Sequence, residues 1–387
     1  VSRKLRWLVI GVVLIAAIIP LVVFLGGMGL RQRFDQLSGQ AKALGMPVDM
    51  PDRGRNEVAE AYRRKIIAFD ENLGPETAHL SFYSESPKNI DFAHRVIGPI
   101  LPTAYSLSEC DSYGKSGIDD LRLEAWTTIS YLYTDGNYAL AKRDFPSVIK
   151  AARAMRLFTE LVPSDDTIGA ACTSTLAGLY ACLLQRAAES TRTEAELESI
   201  AGEAAHWKLN DFSHTVRNSI AEEFDRIDHD VATSLAYVSP IERAQEMMWN
   251  TEPAKLKRKI FALQNGIKLF PIWNNDKEIW KLSGTRDATM IEFFWGFIKE
   301  REFELRRSFA SLHATLHARK AQLEGEPWPT IEELGALGVE TSDPVFGKPY
   351  VWKDFEGKKR LYGNVNPRDP NENGFLLLSD DEKQRTP

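Results

Sequence analysis

Residues Trp7 to Leu30 read WLVIGVVLIAAIIPLVVFLGGMGL, 24 residues with no charge, Asn, Gln or Ser. As a helix rising about 1.5 Å per residue this stretch extends roughly 36 Å, against a bilayer hydrocarbon core of about 30 Å. The pattern predicts an amino-terminal transmembrane helix, with Pro20 as a tolerated kink and Trp7 at headgroup depth. A cleaved signal peptide has a shorter apolar run ending in an A-x-A-like site. The small-residue site available here, Gly27-Met28-Gly29, matches that poorly. A buried core helix would have to be apolar on every side. Arg3, Lys4 and Arg6 precede the stretch and Arg31, Arg33 and Lys42 follow it, which leans toward an inside amino terminus and an extracytoplasmic body.

The chain has 387 residues with 48 Lys and Arg against 54 Asp and Glu, for a net charge of −6. Only basic charges precede position 31, so the remainder is more acidic still, which argues against nucleic acid as a general partner. Hydrophobic residues at 43% exclude wholesale disorder.

Beyond the apolar stretch the text predicts a mainly α protein with a small β-rich carboxyl segment. We divide it into an anchor with its basic tail (1–30), a stalk and irregular connector (31–117), a helical body (118–324), a β-rich segment (325–378) and a loose polar tail (379–387). In the body, apolar residues recur at helical spacing over 119–142, 147–162, 164–189, 193–209 and 211–237. Thr193 with Glu196, and Thr330 with Glu333, form capping-box pairs. Short connections make these antiparallel hairpins, and GNYALAKRDFPSVIKAARAM has the rhythm of one tetratricopeptide-like hairpin, although no strict period recurs. After the breaker Gly325-Glu326-Pro327, Tyr350-Val351-Trp352, Arg360-Leu361-Tyr362 and Phe375 to Leu378 read as short strands.

Several segments together carry a resemblance: the anchor followed by AKALGMPVDMPDRGRNEVAEAYRRKI, the block LAKRDFPSVIKAARAMRLFTELVPSDDTIGAACTSTLAGLYACLLQRAAES, and GEPWPTIEELGALGVETSDPVFGKPYVWKDFEGKKRLY. The layout resembles a loose group of single-span, helix-rich exported proteins of planctomycete-like bacteria. That resemblance implies an exported helical body and no particular activity. The end segment, P-[TS]-x-x-E-L followed by D-P-x-x-G-x-P-Y, also resembles the closing strands of type II secretion pseudopilins. Those proteins carry a Glu inside the apolar helix, and residues 7–30 contain none.

Chemical constellations are sparse. His313 and His317 stand four apart and share a helix face, but the zincin pattern needs Glu after the first His and Ala314 stands there. Partly buried helix residues are the plainer reading. Glu222, Glu223, Asp225, Asp228 and Asp230 form an acidic run read as a solvated helix face, with Glu222 and Arg226 as an ion pair. Cys172 and Cys182 are ten apart on one helix, about 15 Å of rise, too far to bridge. Cys110 is left open as a partner for either. Residues 255–270 mix Lys255, Lys257, Arg258, Lys259 and Lys268 with apolar positions, fitting either an anionic leaflet or a core helix whose lysines face water.

No residue is assigned a catalytic, cofactor or metal role, and no cofactor is expected. The reading is a membrane-tethered helical binding or scaffold protein. Its partners are the bilayer at residues 7–30 and an envelope protein or peptide. The alternatives are an envelope hydrolase using carboxylates or a metal, and a secretion or pilus component.

Overall fold

A computed structural model describes residues 28–49, 56–73, 87–110, 118–162, 167–207, 212–229, 252–272, 290–355, 357–366, 369 and 371–377. Its elements are α1 (28–43), α2 (Glu57–Glu71), α3 (Pro87–Ile97), α4 (Leu101–Ser108), α5 (Ile118–Ala141), α6 (Phe145–Leu161), α7 (Thr167–Ser190), α8 (Glu194–Ala204), α9 (Ser213–His229), α10 (Glu252–Leu269), α11 (Met290–Glu324) and α12 (Ile331–Ala336). Strands β1 (Val351–Phe355), β2 (Lys358–Asn364) and β3 (Asn373–Phe375) follow.

The expected membrane helix is corrected. Among the described residues no helix is long and apolar enough to cross a membrane. A span needs about 20 predominantly apolar residues, whereas α1 carries Arg31, Arg33, Asp35 and Lys42, all exposed. The single-pass and signal-anchor reading falls with that finding; residues 7–27 of the stretch lie outside the described residues.

The chain divides into two compact units. The first takes residues 1–51, 217–275 and 286–294, and the second takes 52–216, 276–285 and 295–387. In the first unit the Phe34 ring of α1 lies 5.7 Å from Phe224 of α9. Lys259 of α10 reaches Asp228 at 2.5 Å and crosses the Phe224 ring at 5.1 Å. Gly266 of α10 faces Ile220, where a Cβ would come within 2.6 Å of the isoleucine.

The second unit is built on two layers. Helix α5 packs on α3 and α7, and α6 packs on α4 and α8. The layers close because α5 meets α4 and α6, and α7 meets α6 and α8. Helices α5, α6 and α7 thus touch their next and next-but-one neighbours, the arrangement by which stacked hairpins bury apolar faces that none buries alone.

Local chemistry fixes the turns. Leaving α5, the N–H of Asp144 bonds the Ala139 carbonyl at 2.9 Å and that of Arg143 bonds Leu140 at 2.9 Å. This pairing is a Schellman closure, and Arg143 takes the left-handed position at φ 58° where glycine is usual. Asp144 then caps α6 by accepting from the Ser147 N–H at 3.3 Å, with Pro146 in the first turn. Both capping boxes form as the sequence predicts, at Thr193/Glu196 and Thr330/Glu333.

Trp207 lies 5.0 Å from Tyr180 of α7 and 5.1 Å from Phe309 of α11, ring to ring. Ser311 donates to Gln185 at 3.0 Å, continuing the α7–α11 seam. The antiparallel sheet, in order β1-β2-β3, pairs Trp352 with Leu361 and Tyr362 with Phe375. Tyr350, Leu361 and Leu376 close its core against Ala310 and Ala314 of α11.

Candidate functional site

Helix α6 buries one line, Val148, Ala151, Ala152, Met155 and Phe158, against the unit's interior. Two apolar residues fall off that line. Ile149 and Leu157 are half-buried and stand four residues either side of Arg153, the spacing that keeps side chains on one face. That face, with Tyr105 of α4 and Ala195 and Ser199 of α8, lines a groove of about 600 Å³. Its volume lies in the range of ligand-binding clefts, about 300–1,000 Å³.

Four charged groups stand in the groove: Glu109, Lys150, Arg153 and Glu196. Two have their charge met elsewhere. Glu196 accepts from the Arg192 N–H at 2.6 Å and the Thr193 N–H at 3.2 Å, with Arg143 at 3.8 Å. The Arg192 amide is the largest cause holding its carboxyl below the usual range. Arg153 reaches Glu203 at 3.5 Å, a carboxylate that Arg156 already takes at 2.8 Å. Lys150 is exposed and has no carboxylate within ion-pair distance among the described residues.

Lys150 has an aromatic partner instead. Its ammonium sits 4.4 Å above the Tyr105 ring. The Tyr105 hydroxyl donates to Asp135 Oδ2 at 2.5 Å, and the other Asp135 oxygen is 2.9 Å from His94 Nε2. Burial, then the Asp135 charge, pushes the Tyr105 hydroxyl well above the usual tyrosine range, so it stays a donor. His94 stacks on Tyr138 at 3.7 Å, with planes 7° apart. One carboxylate on α5 therefore ties down α3 and α4 together and sets the ring on which Lys150 rests.

A second set of polar atoms lies where the sheet meets α11. Arg307 Nε and Nη1, Asp343 Oδ2 and the Tyr350 hydroxyl are buried without a hydrogen-bond partner among the described residues. Burial holds the Arg307 guanidinium below its usual value, and the nearby charges of Glu304, Asp343 and Glu300 oppose that shift.

The residues singled out in the sequence fall elsewhere. His313 and His317 are half-buried on α11, with His313 edge-on to Phe309 at 6.2 Å. Burial lowers the pKa of both. Among the described residues no three His, Cys, Asp or Glu side chains are grouped to hold a metal ion. The acidic run is only in part the solvated face expected of it: Asp228 is exposed and pairs with Lys259 of α10, and Asp225 is half-buried, whereas Glu222 and Glu223 are 6% and 7% exposed in a stretch of α9 buried from Asn218 to Phe224. The side chain of Arg226, and Asp230 altogether, lie outside what is described. Cys172 and Cys182 are buried, and no disulfide joins them to each other or to Cys110. On α10, Ile260, Leu263 and Leu269 are buried while Lys257 and Lys268 are exposed.

Sequence reasoning did not find Tyr105, Lys150 or Arg153. The signal available for the groove was the pair of off-line apolar residues on α6, Ile149 and Leu157. Comparison with protein families, with curated proteins and with solved structures returns no match.

Proposed function

We propose that this chain is a helical-hairpin binding protein whose α4/α6/α8 groove receives a segment of another polypeptide. The observation that carries this reading is the groove's composition, an apolar strip of Phe145, Ile149 and Leu157 beside Lys150, a cation with no carboxylate partner among the described residues. Binding sites of this kind combine apolar lining with a few fixed polar groups that orient the ligand. The stacked layers supply rigidity, and the Tyr105 ring beneath Lys150 favours one placement of its ammonium, which lowers the ordering cost of binding.

The reading is tested by selecting a random peptide display library on the immobilised full chain, with Ile149→Glu as the control surface. Ile149 is half-buried at the groove, and far-ultraviolet circular dichroism checks that the variant keeps its helices. Peptides enriched on the parent and lost on the variant are the expected result. No enrichment, or equal enrichment on both surfaces, overturns the proposal.

A further inference from the structure

The charges of the groove define its ligand more closely. Glu196 is held by two backbone amides and by Arg143, which offsets part of its charge. Arg153 is a secondary partner of Glu203 at 3.5 Å, with its side chain 61% exposed. It stands three residues after Lys150 on the same face of α6, so both cations border the strip of Ile149 and Leu157. Against them stands Glu109, exposed at the end of α4.

The preorganisation is unequal. Lys150 is positioned by a chain running through Tyr105 and Asp135 to His94, whereas Glu109 ends a helix as an exposed C-cap. A charge held in place favours its ligand more than one that must be ordered on binding.

Resting on the peptide-binding reading above, we infer that the groove selects a segment carrying an Asp or Glu next to an aliphatic side chain. The carboxylate sits on Lys150 with Arg153 beside it, and the aliphatic group lies on Ile149 and Leu157. Glu109 is the opposing charge that limits affinity for such a segment.

The experiment uses peptides enriched in the selection above, labelled and titrated by fluorescence polarisation against the full chain. Replacing the peptide's acid by its amide weakens binding about tenfold or more, and Lys150→Met gives a similar loss. The two changes together cost little more than either alone, the signature of a shared contact. Glu109→Gln tightens the acidic peptide and leaves its amide form unchanged. Enriched peptides without an acid, or an amide form that binds as well as the acid, overturn this inference while the peptide-binding reading stands. Failure of the library to enrich any sequence overturns that reading instead.

Discussion

Glu189 at the end of α7 grips Arg360 of β2 through both carboxylate oxygens, one from Nε at 3.0 Å and the other from Nη2 at 3.0 Å. Arg360 is 1% exposed, and Lys358 reaches the same carboxylate at 2.7 Å. This fork fastens the small sheet to the layered helices. Removing one partner of a buried pair strands the other charge, at a cost of about 3 kcal/mol. Glu189→Leu alone is therefore expected to lower stability by that amount in urea unfolding. The double variant Glu189→Leu, Arg360→Met should recover most of the loss, and a double no better than the single would refute the account.

Gly136 lies where three helices meet. A Cβ there comes 2.6 Å from Leu183 Cδ2 and 3.3 Å from Ala151 Cβ. Helix propensity favours alanine over glycine by about 1 kcal/mol, but overpacking costs about 1–3 kcal/mol. Leu183 is fully buried and has little room to withdraw. Crowding wins in this balance, so Gly136→Ala lowers the urea midpoint, and Gly136→Val lowers it further. Pairing Gly136→Ala with Leu183→Ala should cost less than the two separate losses combined.

Asp135 accepts from Tyr105 and pairs with His94, so Asp135→Ala leaves both donors without their acceptor. Hydrogen bonds to a charged group contribute about 1.5–3 kcal/mol each. The variant is expected to lose about 2 kcal/mol or more in urea unfolding, and to bind selected peptides less tightly because the ring under Lys150 is released. Tyr105→Phe, which keeps the ring, should retain more of the affinity.

His313 and His317 carry pKa values lowered from 6.5, chiefly by burial, with the charge of His317 acting on His313 and that of Lys320 on His317. The unfolded chain then binds more protons than the folded one between about 6.5 and the lowered folded values, so stability rises with pH across that window. Above it the pair has no effect. The melting temperature should fall between pH 7.5 and 5.5, and less steeply in the His313→Asn, His317→Asn double variant. Equal slopes for the two proteins would contradict this.

The parts of the fold that were legible in the sequence are local. The helix read over 119–142 is α5, Ile118–Ala141, because its apolar period is written within the segment itself. The two capping boxes were legible for the same reason. Helix α8 was read to 209 and ends at Ala204, its period running past the turn at Ala205 and His206. The groove was hidden because it needs α4 and α8 brought against α6. The tie from Asp135 likewise joins positions 41 and 30 residues away. The acidic run misled at Glu222 and Glu223 because charge alone does not say which face of a helix is solvated, and α9 buries both while it exposes Asp228.

In the three-stranded sheet, β1 and β3 are the outer strands. β3 is three residues long, and β1 follows Pro349 and carries Lys353 and Asp354 exposed. Short margins, charges and a proline are the devices that keep one sheet from templating another. The carboxyl segment is thereby protected from polymerising strand to strand with its own copies in a concentrated solution.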